Sequence, residues 1–209
     1  MTVVVLLAAG APIGGALGWW VLAGWVRRNL RSDWWPRARI WLALAGMLSF
    51  ALIGWRIGWA WDLPAALVFA ACGIAIAAVD LFERRIPNRM LIVAAALETV
   101  ALLLGALGSG SVSGLLRAFA GAAAIFVVYL AIALISPGAM GMGDVKLAGF
   151  AGGVLGFFGL TALIVGTVAG VVIGGIAAVA VVLVRRRGVG GSIPYGPAIV
   201  LGAVVALLL

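Results

Sequence analysis

The chain has 209 residues, of which 66% are apolar and 10% charged. Ordinary soluble domains carry about a quarter charged residues, so that class is excluded and a membrane-embedded chain is expected. The net charge of +8 does not point to nucleic acid, because the arginines gather in short segments between apolar runs, as topology signals do.

Apolar runs of about 20 residues mark membrane-spanning helices, and the alternating segments of about 10 residues that build a barrel are absent. The expected fold class is therefore all-α: a polytopic transmembrane helical bundle of about eight spans, with the N-terminus outside. In chain order the spans are expected at 3–26, 40–58, 63–81, 90–108, 115–136, 145–158, 160–184 and 197–209. The first apolar run has no basic leader and is too long for a signal-peptide core, so it reads as a retained span. From Leu147 to Val184 the sequence is one unbroken apolar stretch. As a single helix it would be about 57 Å long, against a hydrocarbon core of about 30 Å. A fold-back at Gly156-Phe157-Phe158-Gly159 is expected instead.

Charge parity supports the count. Arg27, Arg28, Arg31, Arg37 and Arg39 follow the first span and assign that loop to the cytoplasm. With eight spans, Arg84, Arg85, Arg89, Lys146, Arg185, Arg186 and Arg187 fall on the same side. Arg56 and Arg117 lie near the outer face, where long side chains reach the interface. All nine tryptophans lie in the first 61 residues. Trp34, Trp35 and Trp41 suit an inner aromatic belt, and Trp55, Trp59 and Trp61 an outer one. Residues 1–62 thus read as an N-terminal two-span segment with a basic cytoplasmic loop, and 63–209 as an Ala/Gly/Val-rich six-span catalytic core whose glycines permit close helix packing.

Only six residues are acidic. Asp33, Asp62 and Glu83 fall in loops. Glu98 falls inside the fourth span, where a carboxyl is costly; it is either a functional group or a buried, protonated one bonded within the bundle. Asp80 ends the third span and Asp144 begins the sixth. Those spans run in opposite directions, so both carboxylates reach the cytoplasmic edge. Two facing carboxylates can share one proton: the ionised member activates a water, and the protonated member donates to the carbonyl under attack. The chain has no His and one cysteine, Cys72, inside an apolar run. His-dependent triads, His-ligated zinc, four-thiolate zinc and internal disulfides are excluded, and no metal or other cofactor is required. Gly141 and Gly143 are expected to allow backbone angles closed to other residues and close approach of a substrate backbone. Asp144 can cap the helix that follows, whose positive end favours its ionised form, whereas Asp80 lies at a helix C-terminal end. The shared proton is therefore expected to reside more on Asp80, with the titration belonging to the pair.

These motifs resemble the type IV prepilin peptidase family. Asp80 is followed, after Leu-Phe-Glu-Arg-Arg, by Ile86-Pro87-Asn88. The second family aspartate lies in Gly141-Met142-Gly143-Asp144-Val145-Lys146. A late Pro-x-Gly-Pro element matches Pro194-Tyr195-Gly196-Pro197. The resemblance covers roughly 63–209 and is closer than that to presenilin-like proteases, which share only Gly-x-Gly-Asp. It implies an aspartic endopeptidase of the cytoplasmic (inner) membrane of a bacterium. Such an enzyme cleaves the leader peptide of prepilin or pseudopilin substrates at the cytoplasmic face, and the lipid bilayer is its other partner. Asp80 and Asp144 take the catalytic roles. Lys146 is expected to hold an aspartate or a substrate oxygen, or to anchor the helix at the interface. Pro87 and Asn88 shape the turn after the third span. Pro194, Gly196 and Pro197 break the entry to the last, and the alternative for either turn is that it lines the substrate groove. Many family members carry a Cys-x-x-Cys domain after the first span, which accompanies N-methylation; here that place holds only VRRNLRSDWWPRAR, so a compact form centred on peptidase activity is expected. The alternatives are a small ion-coupled transporter, for which Glu98 would be the key group, or a non-catalytic pilus or secretion assembly protein.

Overall fold

The computed structural model describes residues 2–30, 35–135, 140–185 and 194–209. Among them the only regular structure is helical. Helix α1 (Thr2–Ala16) runs without a break through a π-helical segment (Leu17–Leu22) into α2 (Ala23–Arg27). Then follow α3 (Trp35–Ile57), α4 (Leu63–Glu83), α5 (Asn88–Ser109), α6 (Val112–Ile135), α7 (Met142–Phe158), α8 (Leu160–Arg185) and α9 (Gly196–Leu208). Each apolar run expected from the sequence is helical. Arg31, Asp33, Trp34, Arg186 and Arg187 lie outside the described residues.

Among the described residues, five helical stretches are long and apolar enough to cross a membrane: Ala38–Ile57, Leu63–Glu83, Asn88–Ser109, Val112–Ile135 and Leu160–Val181. Their outward faces are apolar. Leu107 and Phe119 are each 79% exposed and Ile135 is 81% exposed. Such a surface suits lipid rather than water.

Breaks between helices have local causes. The fold-back after α7 falls at Gly159, whose φ of 123° is closed to residues with a Cβ. Pro87, with φ −67° and ψ 128°, caps α5 in an extended conformation and keeps Ile86 out of helical space. In the π-helical segment, the Arg39 guanidinium donates to the Trp19 carbonyl at 3.0 Å and lies 4.1 Å from the centre of that indole. A π-helical turn disturbs the regular backbone bonding, and Arg39 takes up one carbonyl there.

Close pairing of helices comes from glycine. Added side chains at Gly121 and Gly156 would strike the backbone of the facing helix, at the Gly152 and Arg117 carbonyls respectively, so α6 and α7 touch backbone to backbone. The α8–α9 pair does the same at Gly202 and Gly170, and the α1–α3 pair at Gly14 and Gly46. The buried core is centred on α4 through Ala66, Phe69, Ala70, Ile76 and Val79. It extends to Leu22, Val26 and Ile53 of the first helices, and to Leu147, Val154, Ile199 and Ala203 of α7 and α9. This packing sets the ends of α4, α7 and α9 together.

Candidate active site

Asp80 lies in the last turn of α4 and is 5% exposed. Its Oδ2 accepts the Gly196 N–H at 2.9 Å. The turn closes as Arg84 adopts φ 50° and donates its N–H to the Asp80 carbonyl at 2.8 Å. Gly196 opens α9, and its N–H is one of the donors that a helix start leaves without an internal partner. A Cβ on Gly196 would sit 2.8 Å from Asp80 Oδ2. Glycine here is therefore a requirement of space. Pro197 fits the first turn of α9, where no backbone donor is lost, and Pro194 stands half-buried just ahead.

Asp144 is the third residue of α7, not its cap. The cap position belongs to Gly141, whose N–H donates to Asp144 Oδ2 at 3.2 Å. Gly141 has φ −80° and ψ 149°, and neither it nor Gly143 has positive φ. The expectation that these glycines supply special backbone angles is thus corrected: any residue can adopt them. What Gly143 supplies is room, because a Cβ there would lie 2.9 Å from the Ile86 Cβ. The Ile-Pro-Asn and Gly-x-Gly-Asp segments meet at this contact.

The two carboxylates interact. Burial, and after it the negative charge of Asp80, push the Asp144 carboxyl up to about 6, while the Gly141 N–H pulls the other way. Asp144 Oδ1 is buried and has no hydrogen-bond partner among the described residues. The helix dipoles do not separate the two aspartates as the sequence suggests. Asp80 does end α4, but it also faces the N-terminus of α9 and accepts a backbone N–H there. Both aspartates therefore stand at helix starts that favour negative charge.

Lys146 does not reach either aspartate as its partner: its Nζ donates to Asn88 Oδ1 at 2.9 Å. This bond ties the start of α5 to the first turns of α7. Because both side chains are exposed, its contribution to stability is expected to be small, at most about 1 kcal/mol. Lys146→Met, Asn88→Ala and the double substitution form a cycle for thermal unfolding in detergent. The double variant should be scarcely less stable than either single one. Additive losses would show that the two residues act separately.

Sequence reasoning passed over two residues. Tyr129 of α6 is 3% exposed, and its ring centre lies 6.4 Å from that of Tyr195. Their hydroxyl groups interact, and both feel the charge of Asp144. Tyr195 lies beside Gly196, and its ring rests on Gly174 of α8, where a Cβ would come within 2.6 Å of Cζ. Burial raises the Tyr195 phenol above its ordinary range; the Tyr129 hydroxyl opposes this, and the charge of Asp144 adds to it. Tyr195 stays a protonated donor at neutral pH. The available signal was compositional: these are the only two tyrosines in the chain, and one stands within the Pro-x-Gly-Pro element.

The site thus gathers Asp80, Asp144, Gly141, Gly143, Lys146, Pro87, Asn88, Gly196 and Pro197 at the adjoining ends of α4, α5, α7 and α9. A family model described as the type IV leader peptidase family matches residues 67–184, more than half of the chain and both aspartates. The chain belongs to the type IV leader peptidase family. It is also 37% identical over 159 residues to a prepilin leader peptidase/N-methyltransferase of Bacillus subtilis (strain 168). That match covers 76% of this chain and 61% of the relative, so the chain spans about three fifths of the relative's length. No solved structure matches the chain. Family membership accounts for the motifs between Asp80 and Lys146, whereas Pro194, Gly196 and Pro197 lie beyond the matched residues. They enter the site through the Gly196–Asp80 bond.

Proposed function

We propose that this chain is an intramembrane aspartic endopeptidase that removes the leader peptide from type IV prepilin-like or pseudopilin substrates. The observation that carries the reading is the meeting of Asp80 and Asp144, from separate helices, close enough that one charge raises the proton affinity of the other. A pair of this kind holds one proton between its members. The ionised carboxylate draws a proton from water as the water attacks the scissile carbonyl. The protonated carboxyl gives its proton to the carbonyl oxygen, and later transfer to the departing amine completes hydrolysis. Asp144 Oδ1, buried and without a partner among the described residues, is the oxygen suited to hold that water. No covalent intermediate is needed. Cys72 is buried on α4 and has no part in the step.

The same reading sets the chain in a bacterial inner membrane with about eight crossings, an outside N-terminus and the dyad at the cytoplasmic face. The fold-back at Gly159 supports the even count, and the arginines after α2 and α4 support the orientation. Residues 1–62 would form the accessory pair of spans and 63–209 the catalytic six. Leader cleavage rather than N-methylation is assigned, because the segment joining α2 to α3 carries no cysteine.

The test is cleavage of a purified prepilin by the full chain in proteoliposomes, followed across pH, with the product N-terminus sequenced. Asp144 accepts protons as pH falls through about 6. Because Asp80 is already charged when Asp144 titrates, the pair loses its one shared proton as pH rises through about 6, and kcat/KM should fall above that value, about tenfold per pH unit on the alkaline limb. Absence of cleavage at every pH, or a rate unchanged from pH 7 to 4, would remove the two-aspartate mechanism.

A further inference from the structure

Among the described residues, Glu98 is the one buried charged residue that the dyad does not use. It is 3% exposed, at the middle of the 22-residue helix α5. Neither of its carboxyl oxygens has a hydrogen-bond partner among the described residues. A carboxyl left so in an apolar bundle is costly. Glu98 lines a cavity of about 350 Å³ between α5, α6 and α7.

Opposite Glu98, the cavity wall combines small residues with Leu115, Phe119, Phe150 and Val154. Ala118 and Ala122 of α6, and Gly149 and Gly153 of α7, line it. Each pair is spaced by four, so its members stack on one helix face. Beside these small residues the groove leaves room for side chains of another helix. Leu103 and Phe119 also line the cavity; they are 43% and 79% exposed, so it opens sideways through the outer apolar surface. The end nearer the aspartates is bridged. On α7, Lys146 shares a face with Gly149 and Gly153; on α5, Asn88 shares one with Ala95 and Leu102. The Lys146–Asn88 bond therefore crosses the groove about 15 Å from Glu98, at a rise of 1.5 Å per residue. That length is about half the thickness of the hydrocarbon core.

We propose that this groove receives a single membrane-embedded helix, which presents a side-chain amide or hydroxyl to Glu98. The occupant must offer a hydrogen-bonding group at mid-membrane depth. An acyl chain has none, and a lipid headgroup would lie about 15 Å away, at the level of Lys146. Side-chain hydrogen bonds between helices meet this need and recur within membranes. The cavity is the size of a few side chains, so the guest helix would lie along the groove and insert its small and polar side. The assignment of the natural occupant rests on the peptidase reading: it would be the apolar helix of the leader-bearing substrate, held while its leader end lies at the dyad.

The groove can be tested without cleavage. The full chain carrying Asp80→Asn is placed in phosphatidylcholine vesicles with a fluorescent donor. Two synthetic single-span leucine–alanine helices serve as acceptor-labelled probes, one with a central Asn and one wholly apolar. The Asn probe is expected to bind at least fivefold more tightly. Glu98→Gln, which still donates and accepts, should keep that preference, and Glu98→Leu should abolish it. Equal binding of the two probes, or a preference that survives Glu98→Leu, would overturn the proposal. In the cleavage assay, Glu98→Leu in the otherwise native chain should raise KM about tenfold and leave kcat within twofold. A lowered kcat at unchanged KM would count against a docking role. The two readings fail separately: an absent dyad shows as cleavage that survives Asp80→Asn, whereas an absent groove shows in the probe titration alone.

Discussion

Asp80→Asn and Asp144→Asn, each alone, are expected to lower leader cleavage by at least about 10³-fold, because either change removes both halves of the proton transfer. A carboxylate pair works by holding one proton in two places. Replace one member by an amide, and the remaining carboxyl cannot be acid and base in the same step. Geometry should survive the change. An amide at position 80 keeps an oxygen that can accept the Gly196 N–H, now 2.9 Å from Oδ2. An amide at 144 can likewise accept the Gly141 N–H. Both variants should therefore unfold within a few degrees of the parent in detergent. The measurement is the ratio of processed to unprocessed prepilin in proteoliposomes, with thermal unfolding as the control. Cleavage within tenfold of the parent in a well-folded Asn variant would exclude that aspartate from the chemistry.

Much of the fold was legible because its signals are local. Apolar runs fix the helices, and the length of Leu147 to Val184 demands a reversal that falls at Gly159, with φ 123°. The pairing of Asp80 with Asp144 was legible from topology: helices of opposite direction bring an end residue and a start residue to one level. The π-helical turn at Leu17–Leu22 was not legible. It coincides with a bond from Arg39, twenty residues away, to the Trp19 carbonyl, and no local pattern encodes that bond.

The partners of the site residues were harder to read than their identities. Gly143 looks like a residue chosen for its backbone freedom, yet it is an ordinary helical residue that yields space to Ile86. Lys146 lies two residues after Asp144 and invites pairing with a carboxylate. In a helix, however, residues two apart point to different faces, and the Lys146 side chain meets Asn88 of α5 instead. Tyr129 and Tyr195 were missed because they are 66 positions apart in the sequence and meet only when the fold brings the residue before α9 beside α6. Glu98 was recognised as costly, but the choice between an internally bonded carboxyl and an open one needed coordinates. Both of its oxygens are unpartnered, which removes the internally bonded alternative among the described residues.

Gly196→Ala is the second substitution with a large expected effect, about 10²-fold in kcat. The added methyl would stand 2.8 Å from Asp80 Oδ2, 3.2 Å from its Cγ and 3.3 Å from its Cβ. No flexible side-chain tip is available to yield, because the carboxyl itself is the obstacle and is 5% exposed. Two relaxations are open. Asp80 can turn away and lose the Gly196 N–H, or the start of α9 can move and carry Tyr195 with it. Either shifts a reacting group by a substantial fraction of an ångström, and a misplacement of about 1 Å costs on the order of 10²-fold in rate. Gly141→Ala is the matched control. Its backbone at φ −80° and ψ 149° accepts any residue, and its Cβ would stand 3.3 Å from Asp144 Oδ2. There a shift of a few tenths of an ångström suffices, so a loss of about threefold is expected. Steady-state cleavage by the two variants, with unfolding temperatures measured beside it, decides the matter. Equal losses at the two positions would mean that the Gly196–Asp80 contact does not set the position of the carboxylate. A large loss at Gly196 alone would tie the N-terminus of α9 to the catalytic geometry, although Pro194, Gly196 and Pro197 lie outside the part of the chain that the family model matches.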